Sequence, residues 1–159
     1  MNDFPKPDGF DPQALTQFLH RHLPSTQALQ AQVRESSSRH AVVTGSLQAN
    51  INPFGVVFGG SLQTFGLMAG WLVAFRALLE AGGARYPVVA ASQCEFLRPA
   101  ATDFVARAQA TPAEIEQLMV GRRRAIEIQS ELLCEDAVVA QYRARFAAVT
   151  PSANQACLQ

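Results

Sequence analysis

Apolar and polar residues follow two different periods along the chain, and each period predicts a different kind of element. Apolar residues recur at helical spacing between Asp11-Pro12 and Pro24. Aspartate followed by proline is a typical helix start, and we expect Pro24 to end this helix. Alternation at period two then predicts strands over 29–34 and 40–50.

The middle of the chain, residues 61–81, is apolar on nearly all sides and predicts one long helix that ends at Gly82-Gly83. Such a helix is either a buried core helix or a membrane span. Gln63, Thr64 and Arg76 interrupt it, and strand-like sequence surrounds it. We therefore predict a core helix and no membrane span.

Small residues repeat at every fourth position of this helix, at Gly66, Gly70 and Ala74. Glycine inside a helix costs about 1 kcal/mol relative to alanine. Two glycines on one face therefore predict that another backbone approaches the helix closely there.

The rest of the chain predicts four strands and one short helix. The short helix begins at Thr111 with a capping box and ends at Gly121. The strands are expected over 88–97, 104–110, 126–132 and 138–146. An antiparallel sheet curled around the apolar helix is the economical arrangement of these elements. We predict an α+β hotdog fold that pairs with a second copy.

Length and composition limit the classes of function. The chain has 159 residues, of which 48% are apolar and 16% charged, and 13 basic residues balance 13 acidic ones. We expect a single domain over 1–159, with flexible tails at 1–10 and 151–159. The balanced charge argues against a nucleic-acid partner.

Cysteine and histidine positions give no sign of a metal or cofactor. The three cysteines are widely spaced and form no CxxC pair, and the three histidines complete no metal-ligand spacing. We expect reduced thiols, with two of the cysteines inside strands. Residues 1–10 do not form a signal peptide, so we predict a cytoplasmic protein.

A glycine-containing turn that runs into the central helix is the most unusual chemical feature. The first N–H groups of a helix lack partners there and carry partial positive charge. Gly59 and Gly60 allow a ligand to approach that backbone, and the Asn52 side chain could complete an oxyanion hole. Alternatively, Asn52-Pro53 only forms a turn and the glycines only permit a tight connection. The residues alone do not separate these interpretations.

Three segments together resemble a known family. They are Asn-Pro-Phe-Gly-Val-Val-Phe-Gly-Gly-Ser-Leu at 52–62, Gly70-Trp71, and Ser-Gln-Cys-Glu-Phe-Leu-Arg-Pro at 92–99. They resemble the YiiD C-terminal-domain family, a branch of the hotdog thioesterase superfamily, over roughly residues 20–150. The resemblance implies a thioester substrate on CoA or on acyl carrier protein (ACP), and a homodimer with sites at the subunit interface. Pairing of dimers into tetramers stays open. The chain departs from general hotdog thioesterases at Phe58, where they have histidine.

A second departure concerns the reaction. The resemblance implies that hydrolysing relatives place an acidic residue on or beside the central helix, close to the position of Leu67 here. No acidic residue occurs in the 44 positions 36–79. Loss of a general base lowers the rate of hydrolysis by a factor of about 10²–10⁴. Glu95 and Asp103 remain as displaced candidates.

Decarboxylation of a malonyl thioester needs an oxyanion hole but no base. The family is similar to Mad-type malonyl-ACP decarboxylases, which make acetyl-ACP to start fatty-acid synthesis. This resemblance implies that Asn52 binds the enolate oxygen together with the N–H groups near Gly59 and Gly60. For substrate binding we predict Phe54, Gly55, Val57, Phe58, Ser61 and Arg98.

Two rival functions stay open at this point, a hotdog thioesterase with a displaced acid and an acyl-thioester sensor without catalysis. The basic cluster at 122–124 and Arg98 could contact a carrier protein or a phosphate. Both are also typical of solvated surface positions.

Overall fold

The computed structural model of the protein describes residues 5–121 and 124–150. Its elements are α1 (Pro12–His22), α2 (Pro24–Ala28), β1 (Gln32–Ser36), β2 (His40–Gly45), α3 (Leu47–Asn50), α4 (Gly59–Glu80), β3 (Tyr86–Phe96), β4 (Phe104–Gln109), α5 (Pro112–Met119), β5 (Ala125–Cys134) and β6 (Ala137–Val149).

The six strands form one antiparallel sheet in the order β1-β2-β4-β5-β6-β3. The sheet wraps around α4, which packs against all six strands. This is the predicted α+β hotdog arrangement. α4 is long and apolar enough to cross a membrane, but 67% of its most apolar window is buried inside the protein. It is thus the core helix that its sequence predicted.

The glycine face of α4 packs against side chains of the sheet, so the predicted close approach of another backbone was wrong. A Cβ at Gly66 would lie 2.7 Å from Cβ and Cγ of Tyr142, and one at Gly70 would lie 3.0 Å from the Phe146 ring. The close neighbours are therefore side chains of β6 rather than a second backbone. The Ser130 hydroxyl donates to the Gly66 carbonyl over 3.0 Å, in full burial, and joins β5 to the same face.

The first helix ends at His22, just before Pro24, as predicted. Pro24 also begins the short helix α2, which was not predicted, since proline fits the first position of a helix. The end of one predicted strand was wrong. The strand predicted over 40–50 ends at Gly45, because the Ser46 hydroxyl accepts from the Ala49 N–H and caps α3.

The predicted tails lie partly outside the described residues, which omit 1–4 and 151–159. Within the described part, the Arg76 guanidinium of α4 lies 4.2 Å from the centre of the Phe10 ring. Asp8 forms an exposed ion pair with Arg21. The segment before α1 is therefore placed against the helices.

β3 forms one edge of the sheet, and its position matters for the site. Among the described residues it pairs only with β6, so its other edge carries no strand. Most of its 11 residues are exposed, including Val88, Val89 and Phe96. The end of β3 runs beside the start of α4, since the Phe96 ring lies 3.3 Å from where a Cβ of Gly59 would stand.

Candidate active site

Residues 52–56 form a closed loop just before α4. An isolated bridge between Ile51 and Val57 closes its base. The Asn52 N–H donates to the Val56 carbonyl over 2.8 Å, and the Gly55 N–H donates to the Asn52 carbonyl over 3.1 Å. Gly55 has φ +80°, which glycine adopts without strain. The loop therefore has a fixed backbone with Gly55 at its tip.

Among the described residues, only one of the two polar atoms of the Asn52 carboxamide is hydrogen-bonded. Its Oδ1 accepts from the N–H groups of Phe54 at 2.9 Å and Val56 at 3.3 Å. No hydrogen bond engages its Nδ2 within the described residues, and the residue is half-buried. The loop thus uses Asn52 as a turn residue, as one of the two interpretations expected. The oxyanion-hole interpretation of its Nδ2 stays a prediction.

α4 begins without a side-chain cap. Asp11, Ser46 and Thr111 cap α1, α3 and α5, but the N-cap of α4 is Phe58, and no acidic residue lies in its first turn. The Ser61 N–H donates to the Phe58 carbonyl over 2.9 Å. The N–H groups of Gly59 and Gly60 have no partner in the described structure. The partial positive charge at this helix start is therefore not neutralised by the chain.

Three exposed aromatic side chains surround the helix start. Phe54 is 89% exposed at the loop tip, Phe58 is 58% exposed and Phe96 is 53% exposed. The Phe58 ring lies over Gly60, where a Cβ would clash with ring atom Cε1. Glycine is therefore required at 60 while the ring occupies this place. The rim of the site is apolar and open to solvent in the single chain.

The remaining predicted substrate-binding residues differ in their placement. Val57 packs into the core, and its N–H donates to the Ala100 carbonyl over 2.8 Å. Ser61 is 5% exposed in the first turn of α4. Arg98 is exposed on the segment that follows β3, and its N–H donates to the Val139 carbonyl over 3.3 Å. Roles in binding stay predictions for all three, as for Phe54, Gly55 and Phe58.

An apolar cleft lies along α4 and begins at Thr64, one turn after Gly60. We call it the α4 groove: it has a volume of about 430 Å³ and lies between α1–α2, one face of α4 and the start of β3. Leu67, Met68 and Trp71 of α4 line it together with Leu19, Leu23 and Val88. It has no ionisable side chain in its lining.

Neither displaced acid faces this region. Glu95 shares the outer face of the sheet with Gln93 and Glu131, around a polar depression. Asp103 accepts from the Leu47 N–H at 2.8 Å and so fixes the start of α3. Within the described residues, the helix start and the α4 groove thus contain no carboxylate that could serve as a general base.

Two ionisable groups lie between β3 and β6. Burial raises the pKa of the Cys94 thiol, so the thiol is protonated at neutral pH. Burial likewise raises the pKa of Tyr142, against the lowering effect of its hydrogen bond from Ser92. Neither group supplies an anion near the helix start. No group of His, Cys, Asp and Glu in the described part of the chain is arranged to hold a metal ion.

Solved structures share this architecture. A thioesterase from Haemophilus influenzae superposes with a TM-score of 0.73 at 18% identity, covering 90% of this chain and 93% of that one. A Shewanella oneidensis protein described as a "putative thioesterase" gives a TM-score of 0.77 at 20% identity, over 87% and 96% of the two chains. A Chlorobaculum tepidum protein of unknown function gives a TM-score of 0.78 at 21% identity, covering 89% of this chain and 98% of that one. At these identities the likeness establishes the fold.

The sheet wrapped around α4 and these likenesses define a protein of the hotdog fold. Residues 12–150 match the family described as "Putative thioesterase (yiiD_Cterm)", and the chain belongs to that family. This confirms the resemblance read from the three sequence segments. No curated protein sequence matches the chain.

Asn50 positions the loop before α4 and was not predicted from the sequence. Asn50 is 3% exposed, and its Nδ2 donates to the carbonyls of Leu29 and Ser46. Its own carbonyl accepts from the Phe58 N–H at 2.7 Å, which ties the loop to the helix start. No sequence signal separated Asn50 from Asn52. In the basic cluster at 122–124, residues 122 and 123 lie outside the described residues, so its role stays a prediction.

Proposed function

We propose that the protein is a cytoplasmic homodimeric enzyme that acts on acyl thioesters and decarboxylates malonyl-ACP to acetyl-ACP. One observation carries this proposal: an uncapped helix start and a free carboxamide donor lie in one rigid loop–helix unit, with no carboxylate facing them. Such a site can stabilise an oxygen that gains negative charge, but it cannot deprotonate a water molecule.

The thioester carbonyl oxygen binds at the N–H of Gly60 and the Nδ2 of Asn52. The bond between C2 and the carboxyl carbon of the malonyl group then breaks, and CO₂ leaves. The electron pair moves into a C1–C2 double bond and places the negative charge on the carbonyl oxygen. Fixed N–H dipoles lower the barrier because the charge develops where they point. Water then donates a proton to C2 and gives the acetyl thioester.

The apolar lining of the α4 groove also favours this reaction, because it solvates the malonyl carboxylate poorly. Its lining offers no cation to stabilise a bound malonyl carboxylate. Transfer from water to such apolar surroundings costs neutral CO₂ less free energy than it costs the carboxylate. The groove therefore disfavours the ground state relative to the products.

The exposed edge of the sheet supports the proposed dimer. A long edge strand with unpaired N–H and C=O groups is a template for another strand. β3 has 11 residues and an apolar border formed by Val89, Phe96 and Leu97. Antiparallel pairing of two β3 strands would bring each helix start near the partner's groove. A carrier protein would approach the exposed rim, where Arg98 can contact its phosphate.

Hydrolysis is the second candidate, and family membership favours it. It requires a base, which would have to come from outside the described residues or from the second copy. Analysis of products separates the two reactions. With malonyl-ACP as substrate, mass spectrometry detects acetyl-ACP after decarboxylation, and holo-ACP with free malonate after hydrolysis.

The expected product is acetyl-ACP, with CO₂ as co-product. A Gln141→Ala variant on the outer sheet face serves as the matched control and should retain the wild-type rate. Release of malonate without acetyl-ACP would refute decarboxylation and leave hydrolysis. Stoichiometric binding with no product would instead indicate a sensor.

A further inference from the structure

Gln63 is a polar residue of α4 that the protein does not use for its own structure. It is one of three residues, with Thr64 and Arg76, that interrupt the apolar sequence of this helix. The Thr64 hydroxyl donates to the Gly60 carbonyl over 2.8 Å, and the Arg76 guanidinium forms an ion pair with Glu80 over 3.7 Å. Gln63 is exposed, and no other described residue forms a hydrogen bond with its carboxamide. Its donors and acceptor are therefore available to a ligand.

The position of Gln63 on the helix places it beside the candidate oxyanion donors. It follows Gly59 by four residues and Gly60 by three, so it shares one side of the helix start with them. Cα–Cβ bonds in a helix tilt towards its N-terminus, so each side chain covers the turn before its own Cα. The Cβ of Gln63 therefore points back over the uncapped turn. Leu67, one turn further on, lines the α4 groove, so Gln63 stands between the helix start and the groove.

A carboxamide at this place suits a carboxylate that must later leave as CO₂. Its NH₂ group supplies two donors and carries no net charge. A hydrogen bond to an ionised acceptor is stronger than one between neutral groups, so a carboxylate gains more from this donor than a neutral acyl group does. A cation would bind the carboxylate more tightly still, but loss of CO₂ would break that ion pair and raise the barrier.

We propose that the Gln63 carboxamide binds the carboxylate of the malonyl group and so selects thioesters whose acyl group ends in a carboxylate. The inference rests on the proposed function, because it places the thioester carbonyl at Gly60 and Asn52. One methylene separates the carbonyl carbon of a malonyl thioester from its carboxyl carbon, so both ends of the group are held at one helix start. An acetyl thioester has no carboxylate and leaves the Gln63 donors to water.

Binding is measured by calorimetry on the purified full-length protein, with malonyl and acetyl derivatives of a pantetheine analogue that carries an amide in place of the thioester. Gln63→Leu should bind the malonyl probe about 10-fold to 100-fold more weakly and the acetyl probe as before, because it loses a hydrogen bond to a charged group. Gln17→Leu makes the same exchange on the exposed face of α1 and should bind both probes like the wild type. An unchanged affinity for the malonyl probe in Gln63→Leu, or an equal loss for both probes, would overturn the proposal.

A cation at position 63 tests the same contact in the opposite direction. Gln63→Arg should bind the malonyl probe more tightly and yet lower kcat for acetyl-ACP formation, because it stabilises the carboxylate more than the transition state. Gln17→Arg is its control and should change neither quantity. Malonyl affinity that stays at the wild-type value, or a raised kcat, would overturn the proposal. Urea unfolding of the same preparations verifies that these exposed substitutions leave the fold intact.

The readouts also separate this inference from the proposed function. If the wild type forms no acetyl-ACP but prefers the malonyl probe, and Gln63→Leu abolishes that preference, the role of Gln63 is supported and the decarboxylase is refuted. If Gln63→Leu forms acetyl-ACP with the wild-type kcat/KM, the role of Gln63 is refuted and the decarboxylase is supported.

Discussion

Replacing Asn52 by aspartate separates the two tasks of this side chain. The aspartate keeps oxygen acceptors for the N–H groups of Phe54 and Val56, so the loop should close as before. It removes the Nδ2 donor and adds a negative charge that repels an enolate. Asn52→Ala, by contrast, removes the donor and both loop-closing bonds.

The magnitudes differ between the two properties. Removal of one oxyanion donor costs a factor of about 10²–10³ in kcat, and we expect at least this loss in both variants. A hydrogen bond contributes about 0.5–1.5 kcal/mol to stability. The alanine variant should therefore lose about 1–3 kcal/mol for its two bonds. The aspartate variant, at a half-buried surface loop, should stay within about 0.5 kcal/mol of the wild type.

The assay combines acetyl-ACP formation, measured by mass spectrometry, with urea unfolding of the same preparations. The informative result is a folded, stable aspartate variant with little activity. If Asn52→Asp keeps its rate to within about threefold while Asn52→Ala loses activity together with stability, Asn52 acts only as a turn residue. The role of its Nδ2 in catalysis would then have to be abandoned.

The remaining predictions concern the acids and the packing of α4. Glu95→Gln and Asp103→Asn should leave acetyl-ACP formation unchanged, since neither carboxylate faces the helix start; a loss above tenfold in either would restore the displaced-acid hypothesis. Gly66→Ala should destabilise the protein by about 1–3 kcal/mol in urea unfolding because its Cβ meets Tyr142, whereas Gly70→Ala should cost less; the reverse order would contradict the packing. Ser130→Ala should cost about 1 kcal/mol, since it leaves a buried carbonyl with one bond fewer, and an unchanged unfolding midpoint would show that this bond contributes nothing.

Much of the fold could be predicted because each element carries its own signal. The capping box at Thr111 and Glu114 is present in α5, and the glycine repeat of α4 identified its packing face before any neighbour was known. Local rules were incomplete where two of them apply to one residue. Pro24 follows the end of α1 and also begins α2, and only the first of these was predicted. Ser46 likewise ended a strand by capping a turn of helix.

The candidate site was predictable in its residues but not in its geometry. Gly59 and Gly60 follow Asn52 by seven and eight residues, so the sequence alone expected them in one loop–helix unit. The orientation of the Asn52 carboxamide depends on the loop, because its Oδ1 accepts hydrogen bonds from the N–H groups of Phe54 and Val56. Glu95 is excluded as a general base because it lies on the outer face of β3. The register of β3 with β6 decides which face that is.

By itself, the sequence of this protein determined a buried central helix, an antiparallel sheet and a helix start free of acidic residues. These are properties of local pattern and composition, which periodicity and capping chemistry express within a few residues. Only the tertiary structure decided that Phe58 covers Gly60, that Phe96 reaches Gly59, and that a groove opens between α1, α4 and β3. The contact of Phe96 with Gly59 and the groove join residues far apart along the chain, and their positions depend on how the sheet curls around the helix.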